Sequence, residues 1–118
     1  MACKKILVVE DDPDIRSMIS LALEIEGYDV VGAANGKEGL ERLSGLSGPC
    51  LILLDLMMPV MNGWEFLKAK RESDALAVIP VLVVSAFGDR AQSTDIQGVM
   101  KKPIDLESLL GFVKRYCG

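Results

Sequence analysis

Four consecutive apolar residues, Leu51-Ile52-Leu53-Leu54, end in a single acid, Asp55, and a Met/Pro loop leads on to Asn62-Gly63. A run that is apolar at every position, not every second one, reads as a strand buried on both faces. No other feature of the chain constrains the fold as much, because such a strand needs covering layers above and below its sheet. It also poses a question about Asp55, which stands where the strand surfaces. A carboxylate removed from water is costly unless it is paired.

The pattern recurs. Ile6-Leu7-Val8-Val9 runs into Glu10-Asp11-Asp12, and Val81-Leu82-Val83-Val84 runs into Ser85-Ala86. Shorter strands are expected at Val30-Val31, within Asp29 to Ala34, and at Gly98-Val99-Met100. Helical patterns lie between. Asp12 before Pro13 is an N-cap with proline at the first helical position. Ile15, Met18, Ile19 and Ala22 then fall on one helix face, and Gly27 stops the helix. Asn35 with Glu38 resembles a capping box, followed by a thin apolar face of Leu40 and Leu43. Gly45, Ser47, Gly48 and Pro49 break that helix.

Asn62 with Glu65 repeats the capping pattern and opens a third helix with Trp64, Phe66 and Leu67 expected to be buried. This helix fades through Arg71 to Ala77 ahead of Pro80. From Phe87 to Gln97 the pattern is weak. Ser93, Thr94 and Asp95 are poor helix interiors, so a short helix or irregular loop is expected. Asp105 caps the last helix, whose apolar face is Leu106, Leu109, Leu110, Val113 and Cys117, with Lys114 and Arg115 in its final turn.

Apolar strands alternating with helices imply an α/β fold, a doubly wound parallel sheet with helices on both faces. At 118 residues, half of them hydrophobic, the chain is long enough for one domain, expected to span 1–118. In such sheets a site forms at the carboxyl ends of the strands, at a switch point.

Charge and composition exclude several classes. The net charge of -4 argues against direct nucleic-acid binding, which calls for a basic patch. The apolar runs are too short to span a bilayer, and Met1 to Lys5 lacks the core of a signal peptide, so no membrane contact and a cytoplasmic location are expected. Cys3, Cys50 and Cys117 are widely spaced and odd in number, and read as reduced thiols. Histidine is absent; any histidine chemistry must come from a partner.

The strand ends would bring together Glu10, Asp11, Asp55, Ser85 and Lys102, with Asp12 better used as the helix cap. Clustered carboxylates repel, so the cluster needs a cation. Oxygen donors without histidine or cysteine suit a hard divalent ion, with Mg²⁺ the default. A carboxylate beside such an ion, with an amine and a hydroxyl near it, has what a phosphoryl acceptor needs. The product would be an aspartyl phosphate.

With these motifs in this order, Ile6 to Pro13, Leu53 to Pro59 with Asn62-Gly63, Val83 to Ala86, and Lys102-Pro103, the chain resembles a response-regulator receiver domain of two-component signalling. The likeness spans essentially the whole chain. It implies a five-stranded flavodoxin-like sheet of order 2-1-3-4-5, as in chemotaxis receivers. By position, Asp55 resembles the phosphoacceptor and a Mg²⁺ ligand. Asp11 resembles the direct metal ligand, and Glu10 its neighbour acting through a water. Met57 would offer its backbone carbonyl to the metal. Ser85 resembles the hydroxyl switch residue, and Lys102 the lysine that precedes a cis proline. The phosphoryl group would come from a sensor histidine kinase or a histidine phosphotransfer protein and alter contacts with an unknown downstream protein. The chain would catalyse its own phosphorylation and dephosphorylation only, and is not expected to be a turnover enzyme.

Two departures from the family stand out. Val99 occupies the position, three before the lysine, where the family often has an inward-turning tyrosine or phenylalanine; Phe87 is the nearest aromatic in sequence. Ser85 and Lys102 lie 17 positions apart, shorter than usual by roughly one helical turn or more. A shortened or irregular fourth helix is therefore expected, which argues against the family's usual dimer. Met57 and Phe87, apolar where the family often places polar groups, imply slow self-dephosphorylation. The competing reading is a phosphorylation-independent protein-binding module on the same fold. A haloacid-dehalogenase-type phosphatase would want an acid at Met57, and no P-loop motif is present.

Overall fold

The computed structural model describes residues 5–45, 51–56, 58–85 and 96–117, the side chain of Cys117 excepted. Five strands, β1 (Lys5–Val9), β2 (Asp29–Ala33), β3 (Leu51–Leu54), β4 (Val81–Ser85) and β5 (Gly98–Lys101), pair in parallel in the order β2-β1-β3-β4-β5. The helices are α1 (Pro13–Ile25), α2 (Gly36–Gly45), α3 (Gly63–Arg71), a single turn α4 (Asp74–Ala77) and α5 (Leu106–Cys117).

Successive strand residues point to opposite faces, and both faces are dry. Ile6, Val8, Leu51, Leu53, Leu82 and Val84 pack with Ile19 and Leu23 of α1 and Leu109 and Val113 of α5. Leu7, Val9, Ile52, Leu54, Val81 and Val83 pack on the other side with Leu43 of α2 and Phe66 and Leu67 of α3. This is why the runs Ile6–Val9, Leu51–Leu54 and Val81–Val84 of the three central strands are apolar at every position: each residue has a layer to meet, as the expected doubly wound sheet requires.

The caps hold as their residue types demand. Asp12 accepts from the amides of Asp14 and Ile15, and Gly27 follows α1 at φ +95°, a conformation that suits glycine. Asn62 and Glu65 form a reciprocal capping box. At α2 the Asn35 side chain takes the Glu38 amide, while Glu38 reaches back to the Ala34 amide instead of that of Asn35. Asp105 accepts from the Glu107 amide and the Ser108 hydroxyl before α5.

Several expectations are corrected. Met18 is 41% exposed; the buried face of α1 is centred on Ile19 and Leu23, so Met18 falls at its edge. Trp64 is exposed too, because α3 turns Gly63, Phe66, Leu67 and Lys70 inward, leaving Trp64 on its flank. The segment from Arg71 to Ala77 does not fade: α3 ends at Arg71 and Asp74–Ala77 forms a separate turn. The buried Lys70 ammonium donates to the Ala77 carbonyl at 3.0 Å and ties that turn to α3. On α5, Phe112 also packs against the core, a residue absent from the expected face. Residues 86–95, which would hold the shortened fourth helix and Phe87, lie outside the described residues, as do Cys3 and Cys50. Among the described residues, no helix is long and apolar enough to cross a membrane.

Candidate functional site

The strand order reverses between β1 and β3, which opens a crevice at their carboxyl ends. The two ends are laced together there. The Asp55 amide donates to the Val9 carbonyl at 2.9 Å, and the Glu10 amide continues the ladder to Ala33 on the other side. Glu10, Asp11 and Asp55 are thereby brought to one point, each with a carboxylate oxygen within 4.8 Å of the others'. Glu10 and Asp55 are buried and Asp11 is exposed.

The loop after Asp55 is held by close approach. The Gly63 amide donates to the Leu56 carbonyl, and a Cβ on Gly63 would stand 2.7 Å from the Asp55 carbonyl oxygen. The Gly36 amide, at the start of α2, donates to the Met61 carbonyl at 2.9 Å, where a Cβ would meet the Met61 side chain at 2.7 Å. Glycine is needed at both positions for this packing.

Lys102 completes the cluster. It follows β5, and its amide donates to the Ser85 carbonyl at 3.1 Å. Its ammonium lies 2.7 Å from Glu10 Oε1 and 3.6 Å from Asp55 Oδ2. Burial is the largest single influence on this amine and by itself would lower its pKa. The hydrogen bond to Glu10 and the charges of Asp55, Glu10 and Asp11 outweigh it and hold the ammonium above the ordinary lysine value. The Lys102–Pro103 peptide is cis, as the resemblance implied.

Of the residues expected at the site, Glu10, Asp11, Asp55 and Lys102 converge. Ser85 is fully buried at the end of β4, in register with Lys101 and so beside the lysine's strand. Met57 lies outside the described residues. Asp12 caps α1 with its side chain, and its amide donates to Glu10 Oε2 at 3.2 Å. One participant was not expected: the Arg16 guanidinium donates to the Glu10 carbonyl at 2.7 Å. Its only trace in the sequence is an arginine in the first turns of the helix after the acids. Next to the cluster, Ile15, Met18, Lys102, Pro103 and Ile104 line an apolar groove of about 600 Å³.

The chemistry of this donor set suits a hard cation: three carboxylates converge with one amine to balance them. A family model for the response regulator receiver domain matches residues 6–114. The chain belongs to the receiver-domain family. This receiver domain is 37% identical over 115 residues to the DNA-binding dual master transcriptional regulator RpaA of Synechocystis, a match covering 93% of the chain and 47% of that relative. It spans about half the length of most of the curated relatives it matches. Among solved structures, a sensor protein from Polaromonas superposes with a TM-score of 0.89 at 27% identity, covering 97% of this chain and 95% of that one. The response regulator TrrA of Thermotoga maritima, solved in complex with Mg²⁺-BeF, superposes with a TM-score of 0.83 at 27% identity, covering 96% and 98%. The flavodoxin-like sheet order is that of the family.

Proposed function

We propose that this receiver domain is a phosphoacceptor switch that takes a phosphoryl group on Asp55 and relays the signal through altered protein contacts. The observation that carries the reading is the convergence of the Glu10, Asp11 and Asp55 carboxylates, with the Lys102 ammonium bridging two of them.

Glu10, Asp11 and Asp55, with the Met57 carbonyl, would hold Mg²⁺. When bound, the ion supplies positive charge that offsets the oxygens of the transferred group. The chain has no histidine, so a phosphohistidine donor belongs to a histidine kinase or phosphotransfer partner. An Asp55 carboxylate oxygen attacks phosphorus, the phosphorus–nitrogen bond breaks, and the imidazole leaves and is reprotonated. Lys102, already 3.6 Å from Asp55 Oδ2, is within reach of the new phosphoryl oxygens. Its tie to Glu10 keeps it charged for that task. The Ser85 hydroxyl donates a hydrogen bond to the acyl phosphate.

The apolar groove shares Lys102 with the acids and is walled by Ile15 and Met18 of α1. The exposed Leu21 and Ile25 continue this face along α1. We assign it to the phosphohistidine-bearing helix of the donor, whose apolar face would lie here while its imidazole reaches Asp55. With Val99 exposed on β5 and no ring at that position, the downstream signal passes by a route other than an inward-turning aromatic at this place.

Incubation with Mg²⁺ and acetyl phosphate, followed by intact mass, should add one phosphoryl group to the wild type and none to Asp55→Asn. An unmodified wild type with no bound Mg²⁺ would leave a phosphorylation-independent binding module in its place.

A further inference from the structure

Glu10 has four hydrogen-bonding groups, and every one is engaged. Its amide donates to the Ala33 carbonyl at 2.9 Å, Oε1 takes the Lys102 ammonium, Oε2 takes the Asp12 amide, and its carbonyl takes the Arg16 guanidinium. The last contact is of a different kind. β2 ends at Ala33, whose carbonyl takes the Glu10 amide, so the strand stops before it can offer an amide to the Glu10 carbonyl. Glu10 is buried, and a buried carbonyl needs a donor. Arg16 supplies it from α1 across six positions, at 2.7 Å, a charge-assisted bond.

The arginine reaches that carbonyl because Gly32 of β2 leaves it room. A Cβ at Gly32 would stand 3.2 Å from Arg16 Cδ and 3.6 Å from its Cγ and Nε, so the arginine stem lies across the bare backbone. The strand, the glycine and the helix thus hold the guanidinium at one place. The peptide group whose oxygen it grips is the one whose nitrogen belongs to Asp11. Gripping that oxygen fixes the peptide plane, and with it the direction in which the exposed Asp11 carboxylate leaves the chain.

We infer that Arg16 is a positioning residue for the metal-binding turn: it pre-orients Asp11 toward Asp55 by holding the Glu10–Asp11 peptide, without touching the ion. The inference rests on the proposed Mg²⁺ site. It accounts for a long cation beside an acidic cluster whose guanidinium is spent on a neutral carbonyl. Groups that orient metal ligands in this way commonly change metal affinity by about 10–100-fold when removed.

The test uses the whole chain and MgCl₂ in calorimetric titration. Arg16→Met keeps most of the stem over Gly32 and removes the donors. It should weaken Mg²⁺ binding about tenfold, or about 1.4 kcal/mol. Arg16→Lys, which retains a cation and a donor, should recover part of the loss. In metal-free protein, Arg16→Met should move the amide resonance of Asp11, a change that lowered stability alone does not produce. Wild-type Mg²⁺ affinity in Arg16→Met, an unmoved Asp11 amide, or a loss in Arg16→Lys as large as in Arg16→Met would overturn the inference. Failure of the wild type to bind Mg²⁺ at all would overturn the site reading with it, so the two failures are distinguishable.

Discussion

Among the described residues of this receiver domain, two lysines, Lys70 and Lys102, are largely removed from water, and they do different work. Lys70, on the inner face of α3, donates to the backbone carbonyl of Ala77 and so ties down the one-turn helix before β4. Lys102, at the opposite end of the sheet, faces the carboxylates of Glu10 and Asp55. A carbonyl within a helical turn is a fixed neutral acceptor with no reason to let go. Two carboxylates at 2.7 and 3.6 Å are alternative anionic partners, and a phosphoryl group on one of them is a third. The same side chain is a clamp in one place and an exchangeable counter-ion in the other. The difference lies in the acceptor, not in the lysine.

The largest expected effect tests the exchangeable partner. Lys102→Met should slow phosphoryl acceptance from acetyl phosphate by about 10²-fold, the scale of losing one preorganised donor to developing charge. Time-resolved intact mass reads it. An unchanged rate would make Lys102 as structural as Lys70 and collapse the contrast. Lys70→Met should do the reverse, leaving phosphorylation within about twofold of wild type while costing about 1–3 kcal/mol in urea unfolding, because the charge-assisted bond that ties the one-turn helix to α3 is lost. A variant that folds as well as wild type but loses acceptance would break the comparison from the other side.

The smallest effect concerns a charge with no burial to amplify it. Asp105, capping α5, is held below the ordinary carboxylate value by the Ser108 hydroxyl, aided by the Glu107 and Ser108 amides, against an opposing effect of desolvation. Because its folded value is depressed, its contribution is present above the unfolded value of 3.8 and lost as pH falls through the folded value. Asp105→Asn should therefore flatten the acid limb of the stability curve below about pH 4 and change little at neutral pH. An acid limb identical to the wild type would show that the cap carries no linked proton.

Much of the fold is legible in the residues alone where a single short-range rule governs. Ile6–Val9, Leu51–Leu54 and Val81–Val84 are apolar at every position, so only a two-sided sheet accommodates them. Asp12-Pro13 and Asn62 with Glu65 mark helix starts because the orphan amides lie within the same turn. Periodicity was less informative about which edge of a face meets the core. Met18 and Trp64 each sit about 100° from the centre of the buried stripe, and only the packing of α1 and α3 against the sheet turns them outward. Asp74–Ala77 is a single turn, too short for periodicity to register, and it owes its anchor to a lysine in the preceding helix.

At the site, residue types and their places at strand ends were enough to nominate Glu10, Asp11, Asp55, Ser85 and Lys102. Motif order alone pointed to the family that the residue 6–114 match establishes. Who pairs with whom was not contained there. That Lys102 binds Glu10 more closely than Asp55, and that Arg16 closes the Glu10 carbonyl over Gly32, depend on how far four strands and one helix stand from one another. Those separations come from the packed layers on both faces of the sheet. Local pattern therefore specifies the strands and their terminal chemistry, while tertiary packing decides the hydrogen-bond partners, because a bond is made or lost over less than an ångström.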